Sequence, residues 1–223
     1  MKTYFIADAH LGCLAFTNGA ERENKLVHWL DTIQPTCEAL YLLGDMIDFW
    51  YEYKWVVPRG YVRFFGKIAE MTDAGIPVYW FTGNHDIWLF NYVQQELGVT
   101  VFTQPVELEL YEKKLFLAHG DGLGDPSFRF KLLRSIFHSK TCQRLFALLH
   151  PHLAMTFGMH WAKHSRTKRE LGPERSQGEN GEILVQFARR HAAQTGPDAP
   201  DYYIFGHRHI MLDTPIPPHS RVI

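Results

Sequence analysis

The sequence predicts an α/β layered fold, and three observations carry that reading. Short apolar runs alternate with amphipathic segments of helical period through the first half of the chain. A hairpin pattern follows, so the sheet structure is mixed rather than purely parallel. Five of the segments that follow apolar runs are rich in Asp, Asn and His, as expected where strands end on one edge of a sheet. At 223 residues and 46% hydrophobic content, one large domain spanning 1–223 is favoured over two small ones.

The elements follow in order. Residues 4–7 read as a buried strand, and 21–33 as a helix because Leu26, Trp29, Leu30 and Ile33 recur at helical spacing. Residues 39–43 form the next strand, bounded by Gly44. Residues 61–74 read as a helix stopped by Gly75 and Pro77. A third strand is expected at 78–81 and a helix at 87–97, ending at Gly98. Residues 106–110 and 114–118 flank Tyr111-Glu112-Lys113 as a hairpin. From Asp121 to about Gly181 the pattern is helical, which predicts an insertion at about 122–180. Helix returns at 181–193 and strand at 202–205. After a turn built on Pro215, Pro217 and Pro218, residues 221–223 read as half a strand, so the expectation is a chain whose C-terminal strands are truncated.

Composition removes several function classes. A net charge of -1 gives no bulk electrostatic case for nucleic-acid binding. The 3 cysteines, Cys13, Cys37 and Cys142, are an odd, scattered set that suits a reducing compartment. The N-terminus shows no basic and apolar leader, and no apolar run reaches the roughly 18 residues that span a bilayer. A cytoplasmic location is expected, with no obligate protein partner.

The chemistry lies in Asp8-Ala9-His10, Gly44-Asp45-Met46-Ile47-Asp48, Gly83-Asn84-His85-Asp86, His119-Gly120-Asp121 and Gly206-His207-Arg208-His209. Any one of these residues alone is most often a helix cap or a buried hydrogen-bonding group. Five such segments, each at a strand-to-loop junction, point to metal instead. Carboxylate, imidazole and amide oxygen suit borderline divalent ions: Mn, Fe, Co, Ni or Zn. A carboxylate shared by two ions holds them about 3.5–4 Å apart, where they acidify a water and neutralise phosphoryl oxygens.

These motifs resemble those of the calcineurin-like metallophosphoesterases over nearly the whole chain. The resemblance implies a four-layer α-β-β-α sandwich with a helical insertion, and two divalent ions, with Mn²⁺ favoured. Asp8, His10 and His209 would hold the first ion, and Asn84, His119 and His207 the second, with Asp45 bridging. His85 would face the scissile phosphate with Asn84 beside it, and Asp86 would complete the catalytic group in a supporting role, orienting neighbouring His side chains or backbone. Asp48 and Asp121 fit either supporting roles or exposed loop positions.

The short chain and its insertion are similar to the UDP-2,3-diacylglucosamine hydrolases of lipid A biosynthesis, which release UMP from a doubly acylated sugar nucleotide. One departure is that the best-known members carry Arg where this chain has His85. That similarity implies an acyl groove, for which Phe128, Phe130, Leu133, Phe137, Phe146, Leu149, Met155, Phe157 and Trp161 are candidates, with plain helix packing as the alternative. It also implies a lipid-nucleotide partner and an anionic inner-membrane surface. Basic residues Lys163, His164, Arg166, Lys168, Arg169 and Arg175 follow the groove candidates, with a solvated helix face as the alternative to phosphate contact. The candidate substrate contacts are Asp125, Ser165, Arg166 and Arg169.

Overall fold

A computed structural model describes residues 1–125, 127–171 and 181–223. The first sheet contains β1 (Lys2–Ile6), β2 (Cys37–Leu42), β3 (Val78–Phe81) and β4 (Thr100–Phe102), all parallel and adjacent in that order. Helices α1 (Gly19–Ile33), α2 (Val62–Asp73) and α3 (Tyr92–Leu97) connect these strands and share one core with them. The second sheet has the order β5-β6-β7-β9-β8, from β5 (Val106–Leu110), β6 (Lys113–Ala118), β7 (Tyr202–Phe205), β8 (Thr214–Ile216) and β9 (Ser220–Val222).

Side-chain alternation along the strands separates four layers. In β2, Leu40 and Leu42 face the core of α1 and α2, whereas Ala39 and Tyr41 face a second core between the sheets. In β6, Leu115 and Leu117 meet that middle core, whereas Phe116 and Ala118 pack against α7 (Ile183–Thr195). Strands buried on both faces read as continuous apolar runs, which is the pattern in residues 39–43. Trp80, Phe64, Leu30 and Leu40 are fully buried, and each stabilises the fold by about 1.5–3 kcal/mol through burial.

The hairpin forms as expected, with a two-residue turn at Tyr111-Glu112 in which both φ angles are positive. Three expectations need correction. Helix α3 starts at Tyr92, five residues after Ile87, because Trp88 bridges to Tyr51 in extended form and the Glu52 carboxylate accepts the N–H groups of Asn91 and Tyr92. Short β4 was not anticipated, because Thr100–Phe102 is too brief to show a period. Strand β8 is laid down by the Pro-rich segment itself and pairs with β9, which in turn extends the sheet from β7.

Between β6 and α7 the chain forms α4 (Phe128–His138), α5 (Lys140–Ala147) and α6 (Pro151–Leu171). Hydrogen bonds tie this group to the core: Tyr51 Oη donates to the Gln143 carbonyl, and Trp88 Nε1 to the Phe137 carbonyl. Among the described residues no helix is long and apolar enough to cross a membrane.

Candidate metal centre

The five segments converge because parallel strands present their carboxyl ends on one edge. Beyond β1 and β2 the two loops stay paired: Asp8 N–H donates to the Gly44 carbonyl (3.0 Å), and His10 N–H to the Asp45 carbonyl (2.9 Å). The loop after β7 is drawn in by Gly206 N–H donating to the His119 carbonyl (3.0 Å) and His207 N–H to Asp8 Oδ2 (2.8 Å). The loop after β3 is fixed by His85 N–H donating to Asp45 Oδ1 (2.8 Å). A Cβ added at Gly83 would collide with the Asp45 side chain, so only glycine permits that approach.

The backbone is strained where the candidate ligands sit. Among the described residues eight non-glycine positions have positive φ, and Asp8, His10, Asp45, His207 and His209 are five of them. Each such conformation costs on the order of 1 kcal/mol or more, and it concentrates at functional sites.

The candidate ligand atoms fall into two adjoining groups. Asp8, His10 and His209 bring theirs within 4.8 Å of one another, as do Asp45, His119 and His207. A rival grouping joins His10, Asp45 and His85. His10 has one nitrogen to offer, because its Nδ1–H lies 3.1 Å from Asp48 Oδ1. The remaining Nε2 stands 3.0 Å from His209 Nε2, 3.6 Å from Asp8 Oδ1 and 3.8 Å from Asp45 Oδ2, so Asp45 lies within reach of both groups. The Nδ1–H of His119 donates to the Leu43 carbonyl (2.8 Å), leaving Nε2 directed at Asp45 Oδ2 at 3.3 Å. Such outer hydrogen bonds fix the imidazole tautomer for metal binding.

These residues fit divalent ions. Among the described residues Asp8 Oδ1, Asn84 Oδ1 and His119 Nε2 are buried without a hydrogen-bond partner, an arrangement that costs about 1–3 kcal/mol per group unless something else fills it. Burial alone would push the Asp8 carboxyl up, but the adjacent His10 and His209 imidazoles hold it below the usual carboxylate range. Asp45 is likewise opposed by burial yet held well below it, chiefly by His119 and His85. Burial would lower His119, but the Asp45 carboxylate lifts it to about 10. Two ionised carboxylates and lone-pair nitrogens are the donor set that borderline cations prefer.

The remaining residues divide by what they touch. Asp86 is fully buried and accepts from Asp45 N–H, Met46 N–H, Gly83 N–H and Trp80 Nε1, so it clamps two of the loops together. Burial and the neighbouring Asp45 charge push its carboxyl up to about 6. Asp48 is 3% exposed, which excludes a surface-loop role, and it also accepts His85 Nδ1–H through its carbonyl at 2.8 Å. That leaves Nε2 as the open nitrogen of His85, whose pKa burial pushes down.

A cavity of about 230 Å³ runs from Asn84 and His85 into the helices after β6. Leu133, Phe137, Phe146, Phe157 and Trp161 line it, as does Ser165. Phe128 and Leu149 do not; they are exposed. Met155 is also absent from the lining. Asp125 is outside as well, its carboxylate accepting Ser127 N–H at 2.7 Å. The side chains of Phe130, Arg166, Lys168 and Arg169, and all of Arg175, lie outside the described residues. Sequence reasoning missed Phe49, Ile87 and Trp88 in the wall. Their position beside Asp48 and Asp86 was the available signal, since apolar residues next to a ligand motif share its loop.

The sequence model of the calcineurin-like phosphoesterases matches residues 1–211. A Porphyromonas gingivalis protein named UDP-2,3-diacylglucosamine hydrolase is 35% identical, covering 100% of this chain and 88% of its own. Proteins of the same name from Pasteurella multocida and Proteus mirabilis are 28% and 27% identical, covering 100% and 94% of this chain and 88% and 82% of their own. The chain belongs to the calcineurin-like phosphoesterase family and is a metal-dependent hydrolase.

Proposed function

We propose that the chain hydrolyses the diphosphate of UDP-2,3-diacylglucosamine to UMP and 2,3-diacylglucosamine 1-phosphate, a step of lipid A biosynthesis. The observation that carries this reading is the cavity joining Asn84 and His85 to an aromatic wall, because a soluble nucleotide has no use for such a wall. The relatives' names agree with it.

Asp8, His10 and His209 would hold one ion, Asn84, His119 and His207 the other, and Asp45 would serve both. Mn²⁺ is the favoured metal. When bound, the two ions acidify water and offset the charge on the phosphoryl oxygens. The protein's own groups do the rest. Asp48 fixes the His10 and His85 rings, and Asp86 holds the Asp45 and Gly83 loops at their spacing. The Asn84 side chain lies against the reacting phosphate. His85 directs Nε2 at the oxygen that leaves as the P–O bond of the diphosphate breaks, and its imidazolium form donates a hydrogen bond there. The oxygen of water joins one phosphorus, and the former bridging oxygen departs with the other.

The large exposed apolar side chains Leu145, Leu148, Leu153 and Phe157 suit rest against the cytoplasmic face of an anionic membrane, where the lipid substrate resides. Release of UMP from the lipid nucleotide by the purified Mn²⁺-loaded protein tests the reading. Hydrolysis confined to bis(p-nitrophenyl) phosphate and small nucleotides would overturn it.

A further inference from the structure

A second cleft, of about 180 Å³, opens on the other side of Asp121 from the apolar cavity. It lies beyond the carboxyl ends of β3, β4 and β6, the place where layered α/β folds bind ligands. Gly83 and His119 border it, so it adjoins the metal centre. Ile87, Asp121 and Arg134 line both spaces and form the wall between them.

The two spaces differ in chemistry. The first is aromatic. The second pairs apolar faces from Phe81 and Phe102 with polar groups from Thr103, Gln104, Arg134 and His138. Among the described residues His138 Nε2 is buried without a hydrogen-bond partner. Thr103 and Gln104 are exposed, so their side chains can adjust to a ligand. Well-formed pockets for a whole drug-sized ligand occupy about 300–1,000 Å³, so a cleft of this size receives one part of a larger molecule.

We propose that this cleft is the nucleoside subsite, taking the uracil and ribose of the substrate. The inference rests on the lipid-nucleotide reading above. A diphosphate held at the metals carries the acylated sugar on one phosphorus and the nucleoside on the other. Once the acyl chains enter the aromatic cavity, the nucleoside extends to the opposite side of the Asp121 wall. A flat ring with imide donors and acceptors suits apolar faces flanked by a Gln amide and a free imidazole nitrogen.

Calorimetric titration of the metal-loaded protein with UMP, ribose 5-phosphate and inorganic phosphate tests this directly. All three carry a phosphate for the metals, and only UMP carries the ring. UMP is expected to bind at least about tenfold more tightly than ribose 5-phosphate. Gln104→Trp, which fills the cleft from an exposed loop, should erase that ratio, and His138→Ala should reduce it. Equal affinity of UMP and ribose 5-phosphate, or a ratio unchanged in Gln104→Trp, overturns the subsite. If the protein releases UMP from the lipid nucleotide but shows no ring-dependent binding, the subsite alone fails. If ring-dependent binding holds without turnover of the lipid nucleotide, the substrate reading fails and the nucleoside cleft stands.

Discussion

The strand-end loops and the helices after β6 solve opposite problems. The loops bury their polar groups: His10, Asp45, Asp48, Asp86 and His119 are each at most 3% exposed, and five candidate ligands hold left-handed backbone. The helices expose their apolar groups: Leu148 is 81% exposed and Phe157 59%. Buried charge is stable only with a partner or an ion, and exposed apolar surface only with something to cover it. Each region therefore advertises what it lacks: cations in one case and an apolar ligand or surface in the other. On the proposed function, chemistry is set by the first region and substrate choice by the second.

The largest effect should come from Asp45→Ala, which removes the carboxylate proposed to serve both ions. Metal analysis should find both ions lost, and phosphodiesterase activity should fall about a thousandfold or more, equivalent to about 4 kcal/mol of barrier. Retention of both ions would break the assignment of Asp45 as the bridge. His85→Ala should keep the metals and lose rate by about 10²–10⁴. Loss of metal in that variant would instead make His85 a ligand and favour the rival grouping with His10 and Asp45.

A pH effect distinguishes the polar region further. With its pKa lifted to about 10, His119 carries a proton in the metal-free protein at neutral pH. An ion must displace that proton, so affinity should rise as pH rises, by about tenfold per unit below pH 10. Calorimetry in buffers of different ionisation enthalpy should detect the released proton. The smallest effect tests the apolar region: Trp161→Ala should raise the KM for the lipid nucleotide about tenfold more than that for bis(p-nitrophenyl) phosphate. An equal change for both would detach the aromatic wall from substrate choice.

The two regions also differed in how much their residues disclosed in advance. The ligand segments were legible because Asp, Asn and His at the ends of apolar runs have few alternative explanations as a set. Their left-handed backbone was not, since Asp8 and His10 look like any strand-end residues in one dimension. The supporting role of Asp48 emerged only from its contacts with His10 and His85. In the helices, an apolar residue reads the same whether it lines a cavity, packs a neighbour or faces solvent. Phe137 and Phe128 were indistinguishable by sequence, yet one lines the cavity and the other is 76% exposed. Gly158 gave a clue that went unread: its missing Cβ lets α6 lie against the Phe49 ring, one wall of that cavity.

The division of labour between these regions is tested most directly by one comparison of kcat/KM. The metal-loaded protein would be given UDP-2,3-diacylglucosamine and the same sugar nucleotide without its acyl chains. Removing the chains should lower kcat/KM at least about a hundredfold, because the aromatic wall then contributes nothing to transition-state binding. Equal efficiency on both substrates would contradict that division.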